Sequence, residues 1–134
     1  MAAAGSKAVI NILIVGAGGF LGAAARYGVV VAVGKLVSQP AFPWGVLATN
    51  VAGSFIIGVL TGIGDSRHIW NEQARLFLFL GLLGGFTTFS SISNDTLAML
   101  RASNYVGALG NVGLSLALGL AAVAVGYVAG KSGA

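Results

Sequence analysis

The segment Gly84 to Asp95, GGFTTFSSISND, places two adjacent glycines and six Ser, Thr or Asn residues inside an otherwise apolar, membrane-length stretch. Hydrocarbon offers no partner to unpaired N–H and C=O groups, so interrupted backbone is tolerated there only where it faces protein or a watery path. A half-helix that stops near Gly84 and Gly85 would free carbonyl oxygens for a cation. One that restarts near Thr88 would point unpaired N–H groups at an anion. The chemistry offered by this spacing is ion handling.

Two further polar faces point the same way. Asn50, Ser54 and Thr61 fall at i, i+4 and i+11, and Asn111 and Ser115 repeat the i, i+4 step, so each set lies along one helix face. Either face alone could serve as glue between helices. Together with the interrupted third span they could line a narrow track that replaces water around a small ion. The apolar stretches before Gly64 and after Ala102 hold no carboxylate, and Asp95 sits beyond the break, about two turns before Arg101. A cation path usually shows acidic rings or a buried acid. Amide and hydroxyl donors suit an anion, Arg26 could attract one near a mouth, and Phe89 has a ring whose positive edge can face one. The ordinary role of a Phe in a membrane helix is packing; Phe89 stands out because it adjoins the break.

The elements that must carry these residues are legible from composition. Only 7% of residues are charged, 57% are hydrophobic and mean hydropathy is +0.94, whereas about a quarter of a soluble domain's residues carry charge. Charge-free runs extend over Ala8–Ala25, Leu36–Gly64, Leu76–Asn94 and Ala102–Gly130. About 20 apolar residues cross the hydrocarbon layer. The expectation is one all-α integral membrane domain over residues 1–134, with helices near Ile10–Val33, Trp44–Ile63, Leu76–Leu100 and Val106–Ala129 and the third broken in mid-membrane. Lys7 followed by INILIVGAGGFLGAAA also has the outline of a signal peptide. Cleavage would leave three spans, and retention gives an even, compact bundle, the reading adopted here.

Seven basic residues against three acidic give a net charge of +4, but they are scattered and form no stripe for nucleic acid. With spans alternating, Lys7, Arg67, Arg75 and Lys131 fall on one side, and Lys35 and Arg101 on the other with Arg26 close by. Basic asymmetry normally sets orientation, so this balance fits a chain that inserts both ways and pairs antiparallel. Gly18/Gly22, Gly58/Gly62, Gly81/Gly85 and Gly126/Gly130 have the four-residue spacing that lets helix backbones touch. They could pack the protomer or build an oligomer. No cysteine is present, which excludes disulfides and thiolate metal sites.

Through GGFLGAAARYG (Gly18–Gly28), PWGVLATNVAGSFIIG (Pro43–Gly58), GGFTTFSSIS (Gly84–Ser93) and NVGLSLALG (Asn111–Gly119), the chain resembles the Fluc (CrcB-type) family of small fluoride channels along nearly its whole length. The resemblance implies a multi-pass protein of the bacterial inner membrane, in which four-helix protomers form an antiparallel, dual-topology homodimer. Two pores along the dimer interface would pass fluoride passively out of the cell. It implies an Asn50 amide donor to fluoride, ring edges from Phe89, polar neighbours in Thr88 and Ser91, and a fourth-helix track of Ser115 and Asn111. Arg26 matches an arginine near the pore mouth. The carbonyls of Gly84 and Thr87 match positions that hold a structural sodium ion, Na+, at the dimer centre. One departure stands out: the second pore phenylalanine falls at Ile92, which has bulk but no ring. Asp95 takes the place of a common glutamate.

Three other readings stay open. The chain could be one subunit of a heterodimeric fluoride channel with a degenerate pore, its partner supplying the missing ring. It could be a non-transporting assembly subunit. A proton-coupled exporter of the small multidrug resistance type would also be short and dual-topology, but that class needs a first-helix glutamate and this chain has none there. An enzyme is not expected, since the only histidine, His68, lies in a loop beside Arg67.

Overall fold

The computed structural model describes residues 2–37 and 41–133, with side chains from residue 5 onward. Every regular element among them is helical. Helix α1 (Ala2–Leu36) is followed by α2 (Trp44–Arg67). The third span is composite: a single α-turn, α3 (Glu72–Arg75), a π-helical segment (Leu76–Leu83), a short turn α4 (Gly84–Phe86), an interruption at Thr87–Thr88, and then α5 (Phe89–Arg101). The last helix is α6 (Tyr105–Ser132). Four stretches are long and apolar enough to cross a membrane: Gly5–Leu36, Trp44–Arg67, Glu72–Arg101 and Tyr105–Ser132.

Local chemistry sets the ends. Pro43, which lacks an N–H to lose, immediately precedes α2. Helix α2 closes at His68, in the left-handed region at φ 54°, where the backbone N–H donates to Gly64 O at 2.9 Å. Asn71 Oδ1 accepts from Ala74 N at 2.8 Å and Asn104 Oδ1 from Gly107 N at 2.9 Å, capping α3 and α6. Helix α1 begins well before the expected Ile10, because the alanines ahead of Lys7 are strong helix formers.

The glycine pairs are consumed inside the protomer. Gly18 lies against Gly81 and the Phe77 carbonyl, Gly22 against the Leu82 carbonyl, and Gly85 against Gly19, which fuses α1 to the first limb of the third span. Gly58 and Gly62 press on the α6 backbone at Val123 and Tyr127, and Gly126 and Gly130 press on α2 at Phe55 and Val59. A Cβ at any of these positions would land on backbone, which cannot swing aside. The third span therefore changes partner at its break, its first limb on α1 and its second, α5, on α6.

The two glycines ahead of the break remain helical. Gly84 has φ −62° and ψ −36°, and helix continues to Phe86. The interruption falls immediately after the glycine pair, at Thr87–Thr88, and Gly85 itself serves close approach to α1.

The apolar core is small: Leu47, Leu83, Met99 and Ala108. Most large apolar side chains face outward, as lipid-facing or partner-facing residues do. Lys7 pairs with Glu72 at 2.9 Å and Arg67 Nη2 donates to Gly133 O at 3.4 Å. These contacts gather the start of α1, the end of α2, the start of the third span and the end of α6 at one membrane face, the arrangement that alternating spans require.

Candidate functional site

The break is held open by Asn50 from α2. Its Oδ1 accepts from Thr88 N at 2.7 Å, while Nδ2 donates to Thr88 O at 3.3 Å and to Val46 O at 3.0 Å. The carboxamide thus reads both backbone groups of one extended residue, which fixes which way round it sits. Gly53, one turn further along α2, makes room: a side chain there would strike Thr87 Cγ2.

This clasp redirects backbone donors. In an unbroken helix Thr88 N–H would bond to the Gly84 carbonyl and Ser91 N–H to the Thr87 carbonyl. Instead Thr88 N–H goes to Asn50, and Ser91 N–H goes to Thr88 Oγ1 at 3.3 Å, the N-cap of α5. The carbonyls of Gly84, Gly85, Phe86 and Thr87 all lose their helical donors at the break. Both Thr87 N and Thr87 Oγ1 donate to Leu83 O, at 2.9 and 2.8 Å, which finishes the first limb. Thr88 Oγ1 also meets Ser90 Oγ at 2.9 Å and accepts from Ser91 Oγ at 3.4 Å, so a knot of hydroxyls crowns the start of α5.

Below that knot a groove of about 360 Å3 runs between α5 and α6. Phe89, Ile92, Ser93 and Thr96 line it from α5, and Ser115 lines it from α6, over a floor of leucines and Val112. Phe89 is 77% exposed, so its ring projects from the protomer. Ser115 Oγ is buried and has no hydrogen-bond partner among the described residues. An orphan hydroxyl in an apolar groove is a donor held ready.

The family described as CrcB-like protein, Camphor Resistance (CrcB), matches residues 13–127. The chain belongs to the CrcB family. It is 41% identical over 126 residues to the fluoride-specific ion channel FluC of Ruminiclostridium cellulolyticum, covering 94% of this chain and 96% of that one. It is 46% identical over 116 residues to FluC of Methylocella silvestris (83% and 86%) and 42% identical over 128 residues to FluC of Agrobacterium fabrum (92% and 98%). These CrcB relatives are ion channels rather than enzymes by name, and this CrcB chain is a multi-pass protein of the cell inner membrane.

Within this CrcB protomer the sequence-derived residues fall into two groups and two separate positions. Phe89, Ile92 and Ser115 meet in the groove. Asn50, Thr88, Ser91, Gly84 and Thr87 gather at the break. Asn111 is separate: it is fully buried, and its Nδ2 donates to Ile92 O at 3.2 Å and to Thr96 Oγ1 at 2.9 Å, so it ties α6 to α5 behind the groove. Arg26 is half-buried on α1, does not line the groove, and has no hydrogen bond or ion pair among the described residues. Ser93 and Thr96 are groove residues that sequence reading missed. The signal was present: 89, 92, 93 and 96 share one face of the half-helix at i, i+3, i+4 and i+7.

Proposed function

We propose that this chain is a fluoride-selective channel that lets fluoride leave the cytoplasm passively through two pores at the interface of an antiparallel homodimer. The observation that carries the proposal is the break clasped by Asn50 directly above a groove with an outward-facing phenylalanine and an unpartnered serine hydroxyl. Family membership supports fluoride as the ion. The dimer is supported by the near balance of basic residues across the membrane, by the small protomer core, and by a groove that stays open along the side where Phe89 projects.

Fluoride is small and strongly hydrated, so selective passage requires donors that replace water at close range and a width that excludes chloride. Ser115 has a hydroxyl to give. Both amide hydrogens of Asn50 are engaged in the protomer, so donation to fluoride exchanges its longer bond, 3.3 Å to Thr88 O, for the ion. Thr88, Ser90 and Ser91 can reorient their hydroxyls as the ion moves down to Phe89. Arg26 raises the local anion concentration at a mouth without touching the groove.

The freed carbonyls of Gly84 and Thr87 fit a structural sodium ion, two oxygens from each protomer. Oxygen ligands with no competing amide donor are what a hard cation takes. When bound, the ion would supply fixed positive charge that offsets repulsion among the facing carbonyl ends. Asn50→Asp should abolish fluoride flux, because a carboxylate repels both the ion and Thr88 O. Normal efflux from that variant would remove Asn50 from the pore.

Ile92 favours one second reading. It occupies the groove beside Phe89 with an aliphatic side chain, so the chain could serve as one subunit of a heterodimer whose partner brings a second ring. Flux from the chain purified alone separates the two cases.

A further inference from the structure

A second cavity lies away from the break, where α2 ends and the third span begins. This recess of about 420 Å3 carries Asp65, His68, Trp70 and Arg75 on its walls, with Phe79 at its base. The Arg75 guanidinium sits 5.6 Å from the centre of the Phe79 ring and has neither an ion pair nor a hydrogen bond among the described residues. Its nearest acid in sequence, Glu72, is taken by Lys7 at 2.9 Å. Asp65 is steadied by Tyr127 Oη, which donates to Oδ2 at 3.1 Å and leaves the carboxylate able to accept more. Trp70 forms a fixed wall: its Nε1 donates to Leu60 O at 2.8 Å, and its ring occupies the space a side chain at Gly64 would need.

The recess does not stand alone. An apolar groove of about 300 Å3 shares Arg75 and Phe79 with it and continues past Leu76 and Leu80. The polar part holds the loop and the charged residues of one membrane face, and Trp70 is of the type that marks headgroup depth. The apolar part runs one turn or more along the span toward the bilayer centre, and Leu80 is 64% exposed. A polar recess and an apolar groove that share the Arg75–Phe79 wall together offer the two environments an amphiphile needs.

We propose that the recess and the neighbouring groove together bind phosphatidylethanolamine across the Arg75–Phe79 wall. The phosphodiester would pair with Arg75, the primary ammonium would donate to Asp65, and an acyl chain would lie along Leu76 and Leu80. One guanidinium and one carboxylate in a single recess match a headgroup carrying one charge of each sign. Phosphatidylglycerol would leave Asp65 beside an anion with no cation to answer it. The choline headgroup, methylated at nitrogen, has no N–H to donate. The inference requires only the membrane placement of the spans and is independent of the pore.

The test uses Trp70 as the reporter, in the full-length protein with Trp44→Phe so that a single tryptophan remains. The protein is reconstituted into phosphatidylcholine bilayers containing phosphatidylethanolamine, phosphatidylglycerol or phosphatidylcholine brominated near the headgroup end of the chain, and fluorescence quenching is compared at equal mole fraction. The expected result is about tenfold higher relative affinity for phosphatidylethanolamine than for either other lipid, the ratio expected of one well-placed charged pair. Asp65→Asn should bring it to the phosphatidylcholine level, and Arg75→Gln should lower association of all three. Equal quenching by all lipids, or preference for phosphatidylglycerol, overturns the proposal using the Trp44→Phe protein alone, whether or not the recess variants fold. Displacement by soluble glycerophosphoethanolamine with the affinity of the lipid itself would assign the recess to an aqueous ligand and overturn the lipid assignment.

Discussion

The two limbs of the third span share one chain direction and one membrane, yet they are built on different principles. The first limb, residues 72–86, meets α1 through glycines, backbone against backbone, with its helical bonds closed through to Leu83 O. The second, α5, meets α6 through polar side chains: Asn111 to Ile92 O and Thr96, with Thr88, Ser90 and Ser91 knotted at its start. The first limb's contacts leave no room for adjustment. The second limb's contacts consist of groups that can exchange partners. Scaffold and proposed ion path thus lie in one span, divided by two extended residues, Thr87 and Thr88, of which Asn50 holds the second.

The comparison breaks most visibly in the scaffold. Gly58→Leu, or Gly22→Leu against the first limb, drives a side chain into main chain that cannot move, so the cost should exceed the about 1–3 kcal/mol of ordinary overpacking. The folded protomer should be lost, read as absence of a single monodisperse species on size exclusion. A well-folded Gly22→Leu protein would show that α1 and the first limb can separate.

A smaller and more local effect is expected at the boundary. Thr88→Val removes the cap of α5 and should cost about 1 kcal/mol. Hydrogen exchange should accelerate at residues 89–91 and stay unchanged across 72–86. Acceleration in both limbs would mean the break does not insulate one from the other.

The smallest effect on stability, and the sharpest on function, belongs to Ile92→Phe. The groove is open on that side, so the ring should be accommodated with little change in melting temperature. It should raise fluoride flux by offering a second positive edge. Unchanged flux would show that α5 needs only one ring.

Much of this was legible in sequence because charge-free length and polar interruption are strong signals in a membrane protein. The four spans and the restart near Thr88 follow from charge-free length and polar interruption, whereas the grouping of Phe89, Ile92 and Ser115 rests on the family resemblance. The stop falls at Phe86, beside the glycine pair, but its cause is not the one the glycines suggest: Gly85 is there for contact with Gly19, and the extended backbone at Thr88 is held by Asn50, 38 residues away. The bonds of Asn111 are likewise tertiary: its amide donates to Ile92 O and to Thr96 Oγ1 on α5, partners that its i, i+4 spacing with Ser115 does not reveal. The π-helical segment at Leu76–Leu83 has no sequence mark in a run of Leu, Phe and Gly. The recess of Asp65, Trp70 and Arg75 is formed by folding a loop back on α2, which no periodicity reveals.

The central claim is that this chain alone forms a fluoride-selective path. It is tested most directly by loading liposomes that contain only this protein with fluoride or chloride and triggering efflux with a potassium ionophore. Rapid fluoride release with chloride retained is the predicted result. Retention of both ions by well-folded protein, or equal release of both, would contradict it.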